Sequence, residues 1–126
     1  MNVVDSSAWL AYFADELTAN YFAPAIEDTA ALVVPVVCLY EVSKIVRRER
    51  GEEAAFQIVA AMQQGLTIDL DANLALEAAT LGLEEHLALA DSIVYAVAKA
   101  YGATLWTQDT HFAGKPGVNY IANVKG

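Results

Sequence analysis

The chain lacks most of what stabilises secreted or membrane-bound proteins. Cys38 is the only cysteine, so an internal disulfide is impossible and a reducing compartment is expected. The longest apolar run, Ala30 to Tyr40, is too short to span a membrane and contains Pro35. The amino terminus has no basic region and places Asp5 inside its first apolar run, which argues against a signal peptide. We therefore expect a cytoplasmic protein with no membrane partner.

Basic residues are also scarce. Seven lysines and arginines stand against 16 aspartates and glutamates, which gives a formal charge of −9 and a pI near 4.4. An acidic chain that handles phosphates needs positive charge from bound metal ions or from a small basic patch. Apolar residues, by contrast, form 56% of the 126 residues, more than the usual share. This excess predicts a well-filled core or a surface for a partner, and a homodimer is the simplest use of such a surface.

Short apolar segments of strand length alternate with longer segments of helical period along the whole chain. The predicted strands are 2–4, 31–34, 66–70, 103–107 and 118–121. The first predicted helix starts at Asp5-Ser6-Ser7 and runs through Phe13. The other predicted helices are 19–26, 36–50, 52–64, 72–81 and 92–101, and glycines mark several of their ends. This alternation predicts a single domain, residues 1–126, with a parallel, doubly wound α/β sheet.

Two acids, Asp91 and Asp109, are separated by one predicted helix and one predicted strand. Ten helical residues advance about 15 Å, and five strand residues advance about 16 Å. If the chain reverses at Gly102, the strand returns to the level at which the helix began, so we expect Asp109 to lie near Asp91. Open α/β sheets bind ligands at the carboxyl ends of their strands, which is where Asp109 is placed.

Asp5 and Glu41 are two further acids with both a structural and a functional interpretation. Asp5 follows the first predicted strand, and either it or the two serines after it can cap the next helix. Glu41 lies inside the helix 36–50, in an otherwise apolar stretch, where an unpaired buried carboxylate is costly. It can pair with Lys44 on the surface, for about 0.3 kcal/mol, or it can face a metal. Taken singly, neither acid distinguishes the two interpretations.

Taken together, the four acids are predicted to meet at one edge of the sheet. They are Asp5, Glu41, Asp91 and Asp109. Four neighbouring carboxylates repel one another unless cations lie between them. Oxygen ligands select hard ions, Mg²⁺ or Mn²⁺, rather than zinc. Such ions activate water and stabilise a phosphoryl transition state, so the predicted chemistry is phosphodiester hydrolysis.

A basic cluster and an aromatic cluster accompany these acids. Lys44, Arg47, Arg48 and Arg50 follow Glu41; most such clusters are solvated faces, but this one is the best candidate for contact with a phosphate backbone. The residues expected to bind RNA are Lys44, Arg47 and Arg48. Aromatic residues are concentrated in the first two predicted helices. Core packing is the usual reason, although a groove for a partner peptide would look the same. The aromatic candidates for partner contact are Trp9, Tyr12, Phe13 and Phe22.

Three stretches resemble the PIN-domain ribonucleases, and within them the VapC toxins of bacterial and archaeal toxin–antitoxin pairs. They are VVDSSAWLAYF, VPVVCLYEVSKIV and LALADSIVYAVAKAYGATLWTQDTHF, which are distributed between residues 3 and 112, so the resemblance extends over nearly the whole chain. The resemblance implies a three-layer PIN-like fold, a mostly parallel sheet of four or five short strands with helices on both faces. It also implies Mg²⁺- or Mn²⁺-dependent endonuclease activity on RNA, leaving a 5′-phosphate, in a prokaryotic cytoplasm.

The same resemblance assigns roles to individual residues. Asp5, Glu41, Asp91 and Asp109 are its catalytic and metal-binding acids. Ser6 and Thr107 match its hydroxyl positions and are expected to orient the carboxylates. It implies a homodimer and inhibition by an antitoxin, whose apolar side chains would contact the four aromatic candidates while a Lys or Arg reaches the acids.

Two other functions fit parts of the sequence. Receiver domains of two-component regulators share this length, an acidic pocket on a parallel sheet and a Lys-Pro pair near the end, as in Lys115-Pro116. They carry adjacent acids after the first strand and an acceptor Asp after the third. This chain has two serines after its first strand, and its acids near the third are Asp69 and Asp71. A catalytically inactive PIN-like binding module is the other alternative, and nothing in four intact acids favours it.

Overall fold

The computed structural model describes residues 1–123, so the last three residues of the predicted domain lie outside it. Within that range the strands are β1 (Asn2–Val4), β2 (Leu32–Pro35), β3 (Leu66–Ile68), β4 (Thr104–Thr107) and β5 (Val118–Tyr120). The α-helices are α1 (Ser6–Phe13), α2 (Ala19–Glu27), α3 (Val36–Arg50), α4 (Glu52–Met62), α5 (Ala72–Glu84) and α6 (Leu89–Ala100). Short 3₁₀ turns cover Thr29–Ala31 and Thr110–Phe112.

The five strands are all parallel and follow the order β3-β2-β1-β4-β5. The chain moves from β1 outward to β2 and β3 and then crosses back to β4 on the other side of β1. Because crossovers between parallel strands are right-handed, this reversal places α1 to α4 over one face of the sheet and α5 and α6 over the other. The predicted three-layer α/β fold is therefore confirmed. The direction in which successive strands are added to the sheet reverses between β1 and β4.

The core is centred on β1, β2 and α6. Val3, Val4 and all of Leu32–Pro35 are buried, as expected for strands that are covered on both faces. Seven consecutive residues of α6, from Ser92 to Ala98, are also buried. A helix that is enclosed on all sides is held firmly in place, so α6 gives its first turn a fixed position against the sheet.

Two helix boundaries differ from the sequence prediction by three residues. Gly82 is predicted to end α5, but the helix continues to Glu84. Gly82 serves helix packing instead, since a Cβ there would lie 2.7 Å from Ser92 Oγ of α6. The chain turns at His86, whose φ of +56° is left-handed. The predicted start of α6 at Ser92 is also wrong, because the helix begins at Leu89 and includes Asp91 in its first turn.

Among residues 1–123, none of the helices is both long enough and apolar enough to cross a membrane.

Candidate active site

The four predicted acids are brought together at the carboxyl edge of the sheet, where the winding reverses. Asp5 follows β1 and Asp109 follows β4. Asp91 lies in the first turn of α6 and Glu41 in the second turn of α3. In open α/β sheets such a reversal leaves a crevice outside the strand ends. This crevice is the candidate active site.

Asp5 is 4% exposed, and both of its carboxylate oxygens accept hydrogen bonds. Oδ1 accepts from Ser7 Oγ at 2.8 Å and from the backbone N of Ala8 at 3.1 Å. Oδ2 accepts from Thr107 Oγ1 at 2.6 Å. Burial raises the pKa of Asp5 from 3.8 to about 6, although these hydrogen bonds act in the opposite direction. Asp5 therefore caps α1 and belongs to the acid cluster at the same time.

Thr107 connects Asp5 with Asp109. Its side chain is fully buried at the end of β4. The hydroxyl donates to Asp5 and accepts from the backbone N of Asp109 at 2.9 Å. One side chain thus orients the Asp5 carboxylate and sets the backbone path at Asp109, which is an orienting role of the kind the family resemblance implies.

Ser6 holds Glu41 in the same way. Ser6 Oγ donates to Glu41 Oε1 at 2.7 Å and so joins α1 to α3 across the site. Lys44, the alternative partner of Glu41, contacts Tyr40 instead, with Nζ 3.5 Å from the phenol oxygen. Glu41 is therefore held toward the acid cluster.

Asp91 and Asp109 meet as the helix and strand lengths predict. Gly102 has a φ of +58°, and the chain reverses there between α6 and β4. Burial, together with the charges of Asp109, Asp5 and Glu41, raises the pKa of Asp91 to about 6. The cluster therefore resists full ionisation unless a cation offsets its charge.

His111 joins Asp91 and Asp109 in the outer part of the cluster, although the sequence pattern does not single it out. One ligand atom from each of the three residues lies within 4.8 Å of the others. His111 Nδ1 is 3.0 Å from Asp109 Oδ1 and 3.9 Å from Asp91 Oδ2. Asp109 accepts from the backbone N of His111 at 2.9 Å, which fixes the turn carrying the imidazole. The Asp-x-His spacing directly after a strand is the signal that could have identified it.

The donor atoms of this cluster fit a divalent cation. The side chains of Asp91 and Asp109 are 24% and 26% exposed, so their oxygens can be reached from solvent. Carboxylate oxygens suit Mg²⁺ and Mn²⁺, and both ions require several such ligands around one point. The close approach of Asp91, Asp109 and His111 supplies that point.

The predicted basic cluster divides between two parts of the surface of α3. Lys44 and Arg48 border, with Glu41, a hollow of about 280 Å³. Arg47 lines a different hollow and pairs with Glu52 at 3.5 Å. The structure therefore places Lys44 and Arg48, but not Arg47, beside Glu41.

The four aromatic candidates for partner contact also divide. Trp9 and Phe22 are 1% and 0% exposed, so the expectation that a partner contacts them directly is wrong. They pack in the core, where Trp9 stacks on Phe13 with ring centroids 5.7 Å apart. Tyr12 and Phe13 are only half-buried, and Tyr12 OH donates to Glu27 Oε2 at 3.0 Å. Tyr12 and Phe13 are therefore the two that a partner can reach.

Solved structures with the same fold include several from toxin–antitoxin systems. A toxin–antitoxin complex from Klebsiella pneumoniae has a TM-score of 0.81 at 22% identity, over 94% of this chain and 96% of that one. The sarcin-ricin loop cleaving toxin VapC20 of Mycobacterium tuberculosis has 0.74 at 18%, over 92% and 95%. DNA-bound VapBC from Salmonella typhimurium has 0.73 at 13%, over 98% of both chains. No curated protein matches this chain.

The family of the chain follows from a match to its sequence. At the identities above, structural likeness establishes the fold alone. The strand order 3-2-1-4-5 separates the chain from receiver domains, whose order is 2-1-3-4-5. The model of the PIN domain matches residues 3–117, nearly the whole chain. The protein therefore belongs to the PIN-domain family.

Proposed function

We propose that this protein is a divalent-metal-dependent endoribonuclease and the toxin of a toxin–antitoxin pair. The observation that carries the proposal is the meeting of carboxylates from β1, α3, α6 and β4 at one crevice. Family membership supports nuclease chemistry. Two of the structural neighbours, a toxin–antitoxin complex and a sarcin-ricin loop cleaving toxin, support the toxin role.

The chain's own residues prepare this site before a substrate arrives. Asp91 and Asp109 would hold the ion directly, with Asp5 and Glu41 as direct or water-mediated ligands. A bound divalent ion supplies an activated water and stabilises charge on the phosphate under attack. Thr107 and Ser6 keep the carboxylates of Asp5 and Glu41 in position, which reduces the reorganisation needed at the reacting centre.

The experiment that tests this function is cleavage of a single-stranded RNA oligonucleotide by the purified full chain. Cleavage is expected with Mg²⁺ or Mn²⁺ and is expected to stop in chelator, with 5′-phosphate ends on the products. Asp109→Asn should remove the activity. Asp69→Asn, at an exposed acid outside the cluster, is the matched control and should keep it. Cleavage that continues unchanged in chelator would contradict the metal-dependent mechanism.

The basic residues beside Glu41 provide a path for the RNA backbone. Because Lys44 and Arg48 border the hollow next to Glu41, we expect them to bind phosphates as the strand enters the site. RNA binding measured in chelator should become less salt-dependent in Lys44→Gln and Arg48→Gln, by about 0.7 in log–log slope for each phosphate that is no longer neutralised. Arg47→Gln is the matched control, since Arg47 lines a different hollow. If all three variants keep the salt slope of the unaltered protein, the cluster is a solvated face and does not bind RNA.

The antitoxin would bind near the half-buried aromatic side chains of α1, Tyr12 and Phe13. A groove of about 210 Å³ lies between α1, α3 and α4, with Phe13 and Ile45 among its lining residues. A partner segment that fills this groove and continues along α1 toward Ser6 would carry a Lys or Arg to the acids. Phe13→Ala should weaken inhibition without lowering cleavage, whereas Trp9→Ala should lower stability. Unchanged inhibition of Phe13→Ala would mean that the antitoxin binds to another surface.

A homodimer would use apolar surface that the single chain leaves exposed. Phe56 of α4 and Leu76 and Leu83 of α5 are large exposed apolar side chains. Sedimentation equilibrium is expected to show a dimer, and a monomer at all concentrations would contradict this part of the proposal.

A further inference from the structure

The imidazole of His111 occupies a position from which a nitrogen can reach the same point as two of the acids. Its Nδ1 lies 3.0 Å from Asp109 Oδ1 and 3.9 Å from Asp91 Oδ2. The side chain is 71% exposed, so packing does not explain its placement. The cap of the 3₁₀ turn holds the backbone that carries the ring beside Asp109, because Asp109 Oδ1 accepts the backbone N–H of His111.

These distances match the spacing of ligands around one ion. Two adjacent ligands of an octahedral ion, each about 2.1 Å from it, lie about 3.0 Å apart, and two opposite ligands lie about 4.2 Å apart. The 3.0 Å between His111 and Asp109 equals the adjacent spacing, and the 3.9 Å between His111 and Asp91 falls between the two values. One ion can therefore contact all three residues after small side-chain movements.

We propose that His111 binds the metal ion through Nδ1, together with Asp91 and Asp109, and that this nitrogen makes the site prefer Mn²⁺ to Mg²⁺. The inference rests on the proposed metal-dependent function. Mg²⁺ takes oxygen ligands and gives up its waters reluctantly. Imidazole binds first-row transition ions better than it binds Mg²⁺. Among those transition ions, Mn²⁺ is the one that also accepts carboxylates most readily.

The competing explanation is that His111 is only a counter-cation for the acids. A protonated imidazole at 3.0 Å from Asp109 would offset carboxylate charge in the metal-free protein. The two explanations predict opposite results when His111 is removed. Loss of a ligand weakens metal binding, whereas loss of a competing cation strengthens it.

The first measurement is calorimetric titration of the metal-free full chain with Mn²⁺ alone and with Mg²⁺ alone. His111→Ala should weaken Mn²⁺ binding at least about tenfold and change Mg²⁺ binding much less. His86→Ala is the matched control, because His86 is the other histidine and lies exposed between α5 and α6. It should leave both affinities unchanged. Tighter Mn²⁺ binding by His111→Ala would overturn the proposal in favour of the counter-cation.

His111→Asp tests the nitrogen separately from the position. The Asp Oδ1 atom is the same number of bonds from Cα as His Nδ1, so it can offer an oxygen at nearly the same place. This variant should bind Mg²⁺ at least as well as the unaltered protein and lose the preference for Mn²⁺. A retained Mn²⁺ preference would contradict the role of the nitrogen. Circular dichroism of each variant identifies any that fails to fold.

The second measurement detects the nitrogen directly. Pulsed electron paramagnetic resonance of bound Mn²⁺ should show ¹⁴N modulation in the unaltered protein and in His86→Ala, and none in His111→Ala or His111→Asp. Modulation that persists in His111→Ala, or a protein that binds no Mn²⁺, overturns the proposal.

Assays of RNA cleavage on the same samples separate this proposal from the proposed function. Nitrogen-coupled Mn²⁺ without RNA cleavage contradicts only the ribonuclease function, and metal-dependent cleavage without nitrogen coupling contradicts only the role of His111.

Discussion

The inner and outer halves of the acidic site are built in different ways. The inner half, Asp5 with Thr107, is buried, and the Asp5 carboxylate accepts three hydrogen bonds from the chain. The outer half, Asp91, Asp109 and His111, has side chains that are 24%, 26% and 71% exposed. The inner half is therefore a framework that the fold completes by itself, whereas the outer half is the part at which a cation would bind under the proposed function.

The pKa values of the two halves show the same contrast. The pKa of Asp5 and that of Asp91 are both raised to about 6, with burial as the largest cause for each. Hydrogen bonds from the chain oppose the rise at Asp5, whereas neighbouring carboxylates add to it at Asp91. Hydrogen bonds from the chain thus offset part of the cost of a charge on Asp5, whereas the neighbouring carboxylates add to the cost of a charge on Asp91.

Asp91→Asn should have the largest effect, with opposite consequences for RNA cleavage and for stability in chelator. Cleavage should fall about 100-fold or more, because a ligand of the catalytic ion is removed. The melting temperature in chelator should rise, since the substitution removes a charge that its neighbours disfavour; the attraction to the α6 dipole that disappears with it is smaller, at about 0.5 kcal/mol. Thermal unfolding and RNA cleavage are the measurements.

Asp71→Asn is the matched control for that substitution. Asp71 caps α5 outside the site by accepting from the backbone N of Leu74 at 2.8 Å. Asn caps a helix about as well as Asp, so neither stability nor activity should change. An Asp91→Asn protein that is less stable in chelator, or that still cleaves RNA, would show that Asp91 is an ordinary first-turn acid.

Thr107→Val should damage the inner half without removing an acid. The substitution keeps the side-chain shape but leaves Asp5 Oδ2 without its donor and the Asp109 N–H without its acceptor. We expect a decrease of about 1–3 kcal/mol in the free energy of unfolding, measured by urea denaturation. Thr107→Ser keeps the hydroxyl and should be destabilised less. Equal destabilisation of the two variants would assign the effect to the methyl group and not to the hydrogen bonds.

The stability of the metal-free protein should decrease between pH 5 and pH 7.5. The pKa of Asp5 and Asp91 is about 6 in the folded chain and 3.8 in the reference state, so the folded state binds protons more tightly. The stability that this tighter proton binding confers is fully present below pH 3.8 and is lost as the pH rises through 6. We expect a decrease of about 1 kcal/mol for each group over that interval.

Chelator and Mn²⁺ distinguish the two halves in this pH experiment. Urea denaturation in chelator should show the full decrease, and Asp91→Asn should show a smaller one. Saturating Mn²⁺ should reduce the decrease, because a bound cation offsets the carboxylate charge. Stability that is constant or that rises between pH 5 and pH 7.5 in chelator would contradict the raised pKa values.

Ser6→Ala should have the smallest effect. It removes one partly buried hydrogen bond, from Ser6 Oγ to Glu41 Oε1, and should cost about 0.5–1.5 kcal/mol of stability. Cleavage should fall only severalfold, since Glu41 itself remains. A decrease in activity as large as that of Asp91→Asn would mean that Ser6 contacts the metal or the substrate.

The sheet edge and its four acids could be predicted from the sequence because they depend on period and length. Strand-length apolar runs followed by acids give Asp5 and Asp109, and the matched lengths of α6 and β4, with a left-handed turn at Gly102, bring Asp109 back to Asp91. Each of these features is local. The parallel direction of the strands follows from the alternation of strands and helices, whereas their order was not predicted.

The remaining details depend on contacts between distant residues. His111 reaches the acids through a capped 3₁₀ turn that has no periodic signal. Gly82 looks like a helix end, and only its contact with Ser92 shows that it is a packing residue. α1 carries apolar residues on nearly every side, so its sequence did not show that Trp9 faces the core while Tyr12 remains partly exposed.

The most direct test of the two-part site is a crystal structure of the full chain with Mn²⁺, with anomalous difference density used to locate the ion. One peak is expected within about 2.3 Å of a carboxylate oxygen of both Asp91 and Asp109. The hydrogen bond from Thr107 to Asp5 should be retained. A bound ion that contacts neither Asp91 nor Asp109, or an Asp5 carboxylate that has left Thr107 to reach it, would contradict the division into a fixed inner half and a cation-dependent outer half.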